Sequence, residues 1–72
     1  MSNEQSLDVR WLEPPEPFER IVAALEQLPA DGVLKVRIHR EPQPLYRWLT
    51  REGYKHSTRY DQDGYFEIQI TR

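Results

Sequence analysis

The amino-acid sequence predicts a two-layer α/β (α+β) sandwich of order βαβαββ, a mixed four-stranded sheet of strand order 1-2-4-3 with two helices on one face. Three observations lead there. The stretches 7–11, 33–39 and 65–71 alternate apolar and polar residues, the period of a strand with one buried face. Two proline-opened stretches between them carry apolar residues at helical spacing. Asp61-Gln62-Asp63-Gly64 then supplies a hairpin turn between the last two strands.

Each element has its own justification. Leu7, Val9 and Trp11 alternate with Asp8 and Arg10, which predicts a first strand over 7–11. Glu13-Pro14-Pro15-Glu16-Pro17 follows, and proline suits the first turn of a helix, where its missing N–H would have had no partner. Phe18, Ile21, Val22, Leu25 and Leu28 form the apolar stripe of that helix. Glu16 favours it twice, near the positive end of the helix dipole and four residues before Arg20. Residues 29–32 end it. In the second strand Leu34, Val36 and Ile38 face one way and Lys35, Arg37 and His39 the other. Pro42 and Pro44 open a second helix with Leu45, Trp48 and Leu49 on one side, and Gly53 suits its C-terminal cap. Residues 54–60 read as a weaker strand, and 65–71 closes the domain with Phe66, Ile68 and Ile70 inward. Parallel connection of the first two strands calls for a right-handed crossover. Asp8, Arg10, Lys35, Arg37, Glu67 and Gln69 are expected on an open polar face.

Composition narrows the function. A chain of 72 residues is one domain, expected to run over 7–72 behind a flexible segment 1–6. It has no cysteine, which excludes thiolate nucleophiles, disulfides and Cys-ligated metals. The polar N-terminus lacks an apolar signal core, and no apolar run approaches the roughly 20 residues of a membrane span. A cytoplasmic protein is the expectation. The net charge of −2 is unevenly placed: residues 1–32 carry seven acids and two bases, and residues 33–60 seven bases and two acids. Adjacent segments of opposite charge are expected to neutralise each other across the sheet.

Residues 7–17, Leu-Asp-Val-Arg-Trp-Leu-Glu-Pro-Pro-Glu-Pro, resemble the start of the TusA/SirA-like sulfur carriers. Those have a strand reading Leu-Asp-x-Arg-Gly-Leu and then a Cys-Pro-x-Pro motif opening the first helix. Pro15 and Pro17 match the two prolines, Pro14 stands where the carriers have cysteine, and Trp11 stands where they usually have glycine. The chain is more similar still to a cysteine-less bacterial branch, a domain of unknown function with a second motif like Arg-Glu-Pro-x-Pro-Leu-Tyr. Here that motif is Arg40 to Tyr46. The resemblance implies a link to redox or nitrogen-oxide metabolism, and a hemerythrin-like or other redox protein as partner. It does not imply sulfur transfer, because a persulfide carrier needs a sulfur nucleophile activated at a helix N-terminus. Pro14 supplies neither sulfur nor a proton donor.

With the first two strands parallel, the loops after both lie at one edge, where open α/β sheets bind ligands. The candidate site therefore gathers Trp11, Glu13, Pro14 and Glu16 from the first loop with His39, Arg40, Glu41 and Tyr46 from the second. No catalytic constellation is recognisable, since His56 points away from its neighbour Ser57 in a strand. Spacing suggests no metal site, no cofactor is called for, and the reading leans against an enzyme. The favoured function is a binding or regulatory module that meets a protein partner. The alternatives are an RNA-binding module using Lys35, Arg37, Arg40, Arg47, Arg51 and Arg59, and a small-ligand or metal-binding protein built on the same two loops.

Overall fold

The computed structural model describes residues 3–72. Its elements are β1 (Glu4–Asp8), α1 (Glu16–Glu26), β2 (Val33–Ile38), α2 (Gln43–Arg51), β3 (Lys55–Tyr60) and β4 (Phe66–Thr71). The four strands form one sheet in the order β1-β2-β4-β3, as expected. β1 runs parallel to β2, and β4 runs antiparallel to both β2 and β3. The C-terminal ends of β1, β2 and β3 therefore meet at one edge of the sheet.

Register sorts the side chains. Leu7 opposes Val36, Val36 opposes Ile68 and Leu34 opposes Ile70, so these share the helix-covered face. Leu34, Val36, Ile38, Ile68 and Ile70 are buried there against Ile21, Leu25 and Leu28 of the α1 arm and Leu45 and Leu49 of α2. Full burial of each such side chain stabilises the fold by about 1.5–3 kcal/mol. α2 stops at Gly53, whose φ of 86° no β-carbon tolerates well. The Gly53 N–H donates to Thr50 O and the Tyr54 N–H to Leu49 O, a Schellman closure. At the end of α1 the Arg72 Nη2 donates to the carbonyls of Leu25 (3.3 Å) and Leu28 (3.1 Å), so the last residue of the chain satisfies two helix-terminal acceptors.

The opposite face is open and polar. Asp8 opposes Arg37, Arg37 opposes Glu67, and Glu67 opposes Arg59. Glu67 is only 8% exposed between its two arginines, with Oε1 3.4 Å from Arg59 and Oε2 3.9 Å from Arg37. Lys35 pairs with Glu4 at 3.3 Å. Acidic and basic segments do neutralise each other across strands here.

The first strand departs from the expectation. It begins at Glu4 and ends at Asp8, three residues earlier at each end than the span 7–11. Glu4, Gln5 and Ser6, expected to be flexible, form its first half; Met1 and Ser2 lie outside the described residues. The polar run escapes a hydrophobic reading because an edge strand leaves most of its surface in water. The early end has a local cause. Asp8 Oδ1 accepts from the Arg10 backbone N–H (3.1 Å) and from Arg10 Nε (2.9 Å), and the Leu12 N–H donates to Val9 O. This turns the chain before Trp11 can continue the alternation. Val9 remains in the core, whereas Trp11 is 83% exposed.

Candidate functional site

Both helices at the strand-end edge begin with the same phrase. Pro15-Glu16-Pro17-Phe18 opens α1 and Pro42-Gln43-Pro44-Leu45 opens α2. In each, the first proline is the N-cap residue and the second occupies the second helical position, with no side-chain cap. The Pro14–Pro15 peptide bond is cis.

The two helix starts stand side by side and enclose a cleft of about 350 Å³. Pro14, Pro15 and Pro17 form one wall with Phe18 and Ile21. Pro42, Pro44 and Leu45 form the other, and Ile38 at the end of β2 lies between them. His39, Arg40 and Glu41 complete the lining, all three exposed. The walls present almost no hydrogen-bonding groups. Four of the prolines have no N–H at helix-start positions where a donor would otherwise face out. The N–H groups of Glu16 and Glu19 are taken by the carbonyls of Glu13 and Pro15. Those of Gln43, Leu45 and Tyr46 are taken by the carbonyls of Glu41, Pro42 and Pro42. The anion cradle that a helix N-terminus usually offers is dismantled in α2 and reduced in α1 to the Phe18 N–H.

The loop bearing the charged residues is tied down. The Tyr46 hydroxyl donates to Glu41 Oε2 (3.2 Å) and, having one proton, accepts from Thr58 Oγ1 (2.7 Å). Gln43 Nε2 donates to Glu41 Oε1 at 3.0 Å. The Tyr46 ring stacks on His56 of β3, centroids 4.6 Å apart and planes within 4°. Burial raises the Tyr46 hydroxyl above its ordinary pKa of 10.0, the Thr58 hydrogen bond opposes this, and the neighbouring Glu41 carboxylate adds to the rise. Glu41 is thus a committed acceptor. Arg40 takes part in none of the ion pairs among the described residues.

Of the eight expected site residues, the cleft gathers Pro14, His39, Arg40 and Glu41. Tyr46 acts from behind it as the tether. Glu13 and Glu16 lie at the start of α1 without lining the cleft. Trp11 stands outside it, with the Arg10 guanidinium 5.5 Å from its ring centroid. The same guanidinium lies 4.4 Å from the Tyr65 ring centroid. The floor residues Phe18, Ile21, Ile38 and Leu45 carry only a core signal in the sequence. What points to Phe18 and Leu45 is the repeated Pro-x-Pro-apolar phrase, which lines the cleft with both its copies. His56 is exposed, and it shares its face of β3 with Thr58, since the Tyr46 ring stacks on His56 while its hydroxyl bonds Thr58.

The exposed large hydrophobic residues among those described are Trp11 and Tyr60, the latter at 67%. Trp11 follows β1, the cleft loop follows β2 and Tyr60 ends β3, so all three lie at one sheet edge. Among the described residues no group of three His, Asp or Glu side chains is placed to hold a metal ion. No helix there is long and apolar enough to cross a membrane.

A family model described as an uncharacterized conserved protein (DUF2249) matches residues 6–72. A crystal structure of the SirA-like protein from Desulfitobacterium hafniense superposes with a TM-score of 0.80 at 26% identity, covering 90% of this chain and 92% of that one. No curated protein matches.

Proposed function

The chain belongs to the DUF2249 family, with a SirA/TusA-like fold, and from its strand-end edge we propose that it is a non-catalytic binding module that meets a protein partner there. One observation carries this: the apolar cleft and both exposed large hydrophobic residues share a single edge. Trp and Tyr are the residue types that anchor protein interfaces, and large apolar side chains left in water beside an apolar cleft mark such a surface. The Asp8-bound Arg10 beside Trp11 supplies the polar rim that such interfaces have. The sulfur-carrier reaction is not available to it, since position 14 is proline and the chain has no cysteine. The hemerythrin-like and nitrogen-oxide associations of similar proteins make a redox metalloprotein the first partner class to test.

The cleft itself favours a second reading, a small apolar ligand, because its volume falls at the low end of the roughly 300–1,000 Å³ of ligand pockets. RNA binding has less support. Lys35, Arg37 and Arg59 lie on the open face paired with carboxylates, while Arg47 and Arg51 lie on α2 in the other layer.

The test is a capture experiment from the native host with three baits: the unaltered chain, Trp11→Ala with Pro44→Glu, and Lys35→Ala with Arg59→Ala. Pro44 is exposed and glutamate is favourable early in a helix, so the second bait should fold. The reading expects a reproducible partner that is lost from the second bait and kept by the third. Retention by the second bait, or loss from the third alone, overturns it.

A further inference from the structure

Resting on that reading, we infer that the cleft between the two proline-opened helix starts takes one bulky apolar side chain of the partner, and that Arg40 at its mouth holds a carboxylate next to it in the partner's sequence. The body of the occupant must be apolar, because the lining is built from prolines and Phe18 over the buried Ile21, Ile38 and Leu45. A polar group pushed inside would lose its water and find no partner, at a cost set by unmade hydrogen bonds. Apart from that of Phe18, the helix-start N–H groups named above are either missing or already bonded to Glu13, Pro15, Glu41 and Pro42 carbonyls. Any charge on the occupant must therefore stay at the mouth.

The mouth is not neutral in what it has left to offer. Glu41 is engaged by Gln43 and by Tyr46, which Thr58 holds in turn. Arg40 is exposed and outside every ion pair among the described residues. A guanidinium is also the group best shaped for two-point contact with a carboxylate. Glu13 and Glu16 flank the start of α1 but do not line the cleft. The complementary motif is a large apolar residue beside Asp or Glu. A protein segment is favoured over a free acid because two further exposed hydrophobic residues, Trp11 and Tyr60, stand outside the cleft at the same strand-end edge, where a larger partner can also engage them.

Amide chemical shifts of the full chain test this, with the capped peptide acetyl-Ala-Phe-Asp-Ala-amide as probe. The inference expects shifts at Ile38–Leu45 and Phe18–Ile21. Replacing Phe by Ala in the peptide abolishes them. Replacing Asp by Asn, or Arg40→Ala in the protein, weakens binding about two- to fivefold, the range of one exposed ion pair. Arg40→Glu reverses the preference toward the same peptide with Lys in place of Asp, while leaving the fold intact because Arg40 is exposed. Equal affinity for the Asp, Asn and Lys peptides overturns the inference. So do shifts confined to residues outside the cleft, and so does binding of 3-phenylpropionate with no response to the Phe-Asp peptide, which assigns a small-ligand site instead. None of these outcomes decides whether the edge docks a protein, since the capture experiment reads Trp11 and Pro44 independently of the motif.

Discussion

The open face of the sheet and the edge at its strand ends are both exposed to water, and they use their polar groups in opposite ways. On the open face, charge meets charge across neighbouring strands: Glu4 with Lys35, and Glu67 with Arg37 and Arg59. These charges have partners within the chain. At the strand-end edge the helix starts have been stripped of most donors by proline, and apolar side chains lie open beside an unanswered Arg40. The contrast shows where a fold keeps its spare binding capacity. A hollow of about 520 Å³ also lies on the open face, yet its charged lining residues are paired with one another, Lys35 with Glu4 and both Arg37 and Arg59 with Glu67. Size alone does not make a site.

The contrast between the two regions can be broken first at the cleft floor. Leu45 is fully buried and lines the cleft. Leu45→Ala should cost about 2–5 kcal/mol in urea denaturation, because a cavity opens where the core cannot fully collapse. A loss below about 1 kcal/mol would show that the two helix starts are loosely packed and that the cleft is not a fixed shape.

A smaller effect is expected on the open face. Glu67→Gln should cost about 1–2 kcal/mol, since a nearly buried carboxylate loses two cations that are themselves largely in water. Lys35→Ala, by contrast, should change stability by no more than about 0.5 kcal/mol, the value of an exposed pair. Equal costs for the two would mean that the central position of Glu67 contributes nothing.

The two regions should also answer pH at opposite ends of the scale. The side-chain hydrogen bonds from Arg10 hold the Asp8 carboxyl below its ordinary 3.8, against an opposing effect of burial. A carboxyl lowered by folding stabilises the fold above its unfolded pKa, and that contribution is lost as pH falls through the folded value. Asp8→Asn should therefore flatten the stability profile below about pH 4. Tyr46 is the converse. Its hydroxyl is raised by folding, so its contribution is complete below about pH 10 and is lost as pH rises through the folded value. Tyr46→Phe should remove that alkaline limb and release the Glu41 loop, read as increased amide exchange at residues 39–42. An unchanged profile in either variant breaks the corresponding tether.

The least effect concerns sulfur. Pro14→Cys places a thiol where similar carriers have theirs, but the proline-rich start of α1 keeps the Phe18 N–H as its one early donor not bonded to a carbonyl, too little to stabilise a thiolate strongly. Its pKa should stay near about 8.5. A value below about 7 would show that this helix start still activates a nucleophile.

Much of this was legible in the residues. The period-two runs at Leu34–Ile38 and Phe66–Ile70 and the stripe at Ile21–Leu28 fall where the structure has β2, β4 and α1, because each buries one face of a regular element. The start of β1 was not legible, since Glu4-Gln5-Ser6 lies on an edge strand and carries no apolar signal. Its end differs from the expected one because an aspartate two residues before Arg10 closes a turn that alternation cannot reveal. For the candidate site, parallel connection of the first two strands was enough to bring Pro14 and His39–Glu41 together. It could not show that Glu13 and Glu16 would stay outside the cleft, or that core-type residues would floor it. Those depend on how two helix starts meet in space, which no spacing along the chain encodes.

The central claim is that the edge, and not the open face, receives the partner. A cross-saturation NMR footprint of the captured partner on the isotopically labelled chain tests it most directly. The account predicts saturation at the Trp11 indole and at residues 38–45 and 60, with Lys35, Ser57 and Gln69 untouched. A footprint centred on those three open-face residues, with Trp11 and the cleft silent, would contradict it.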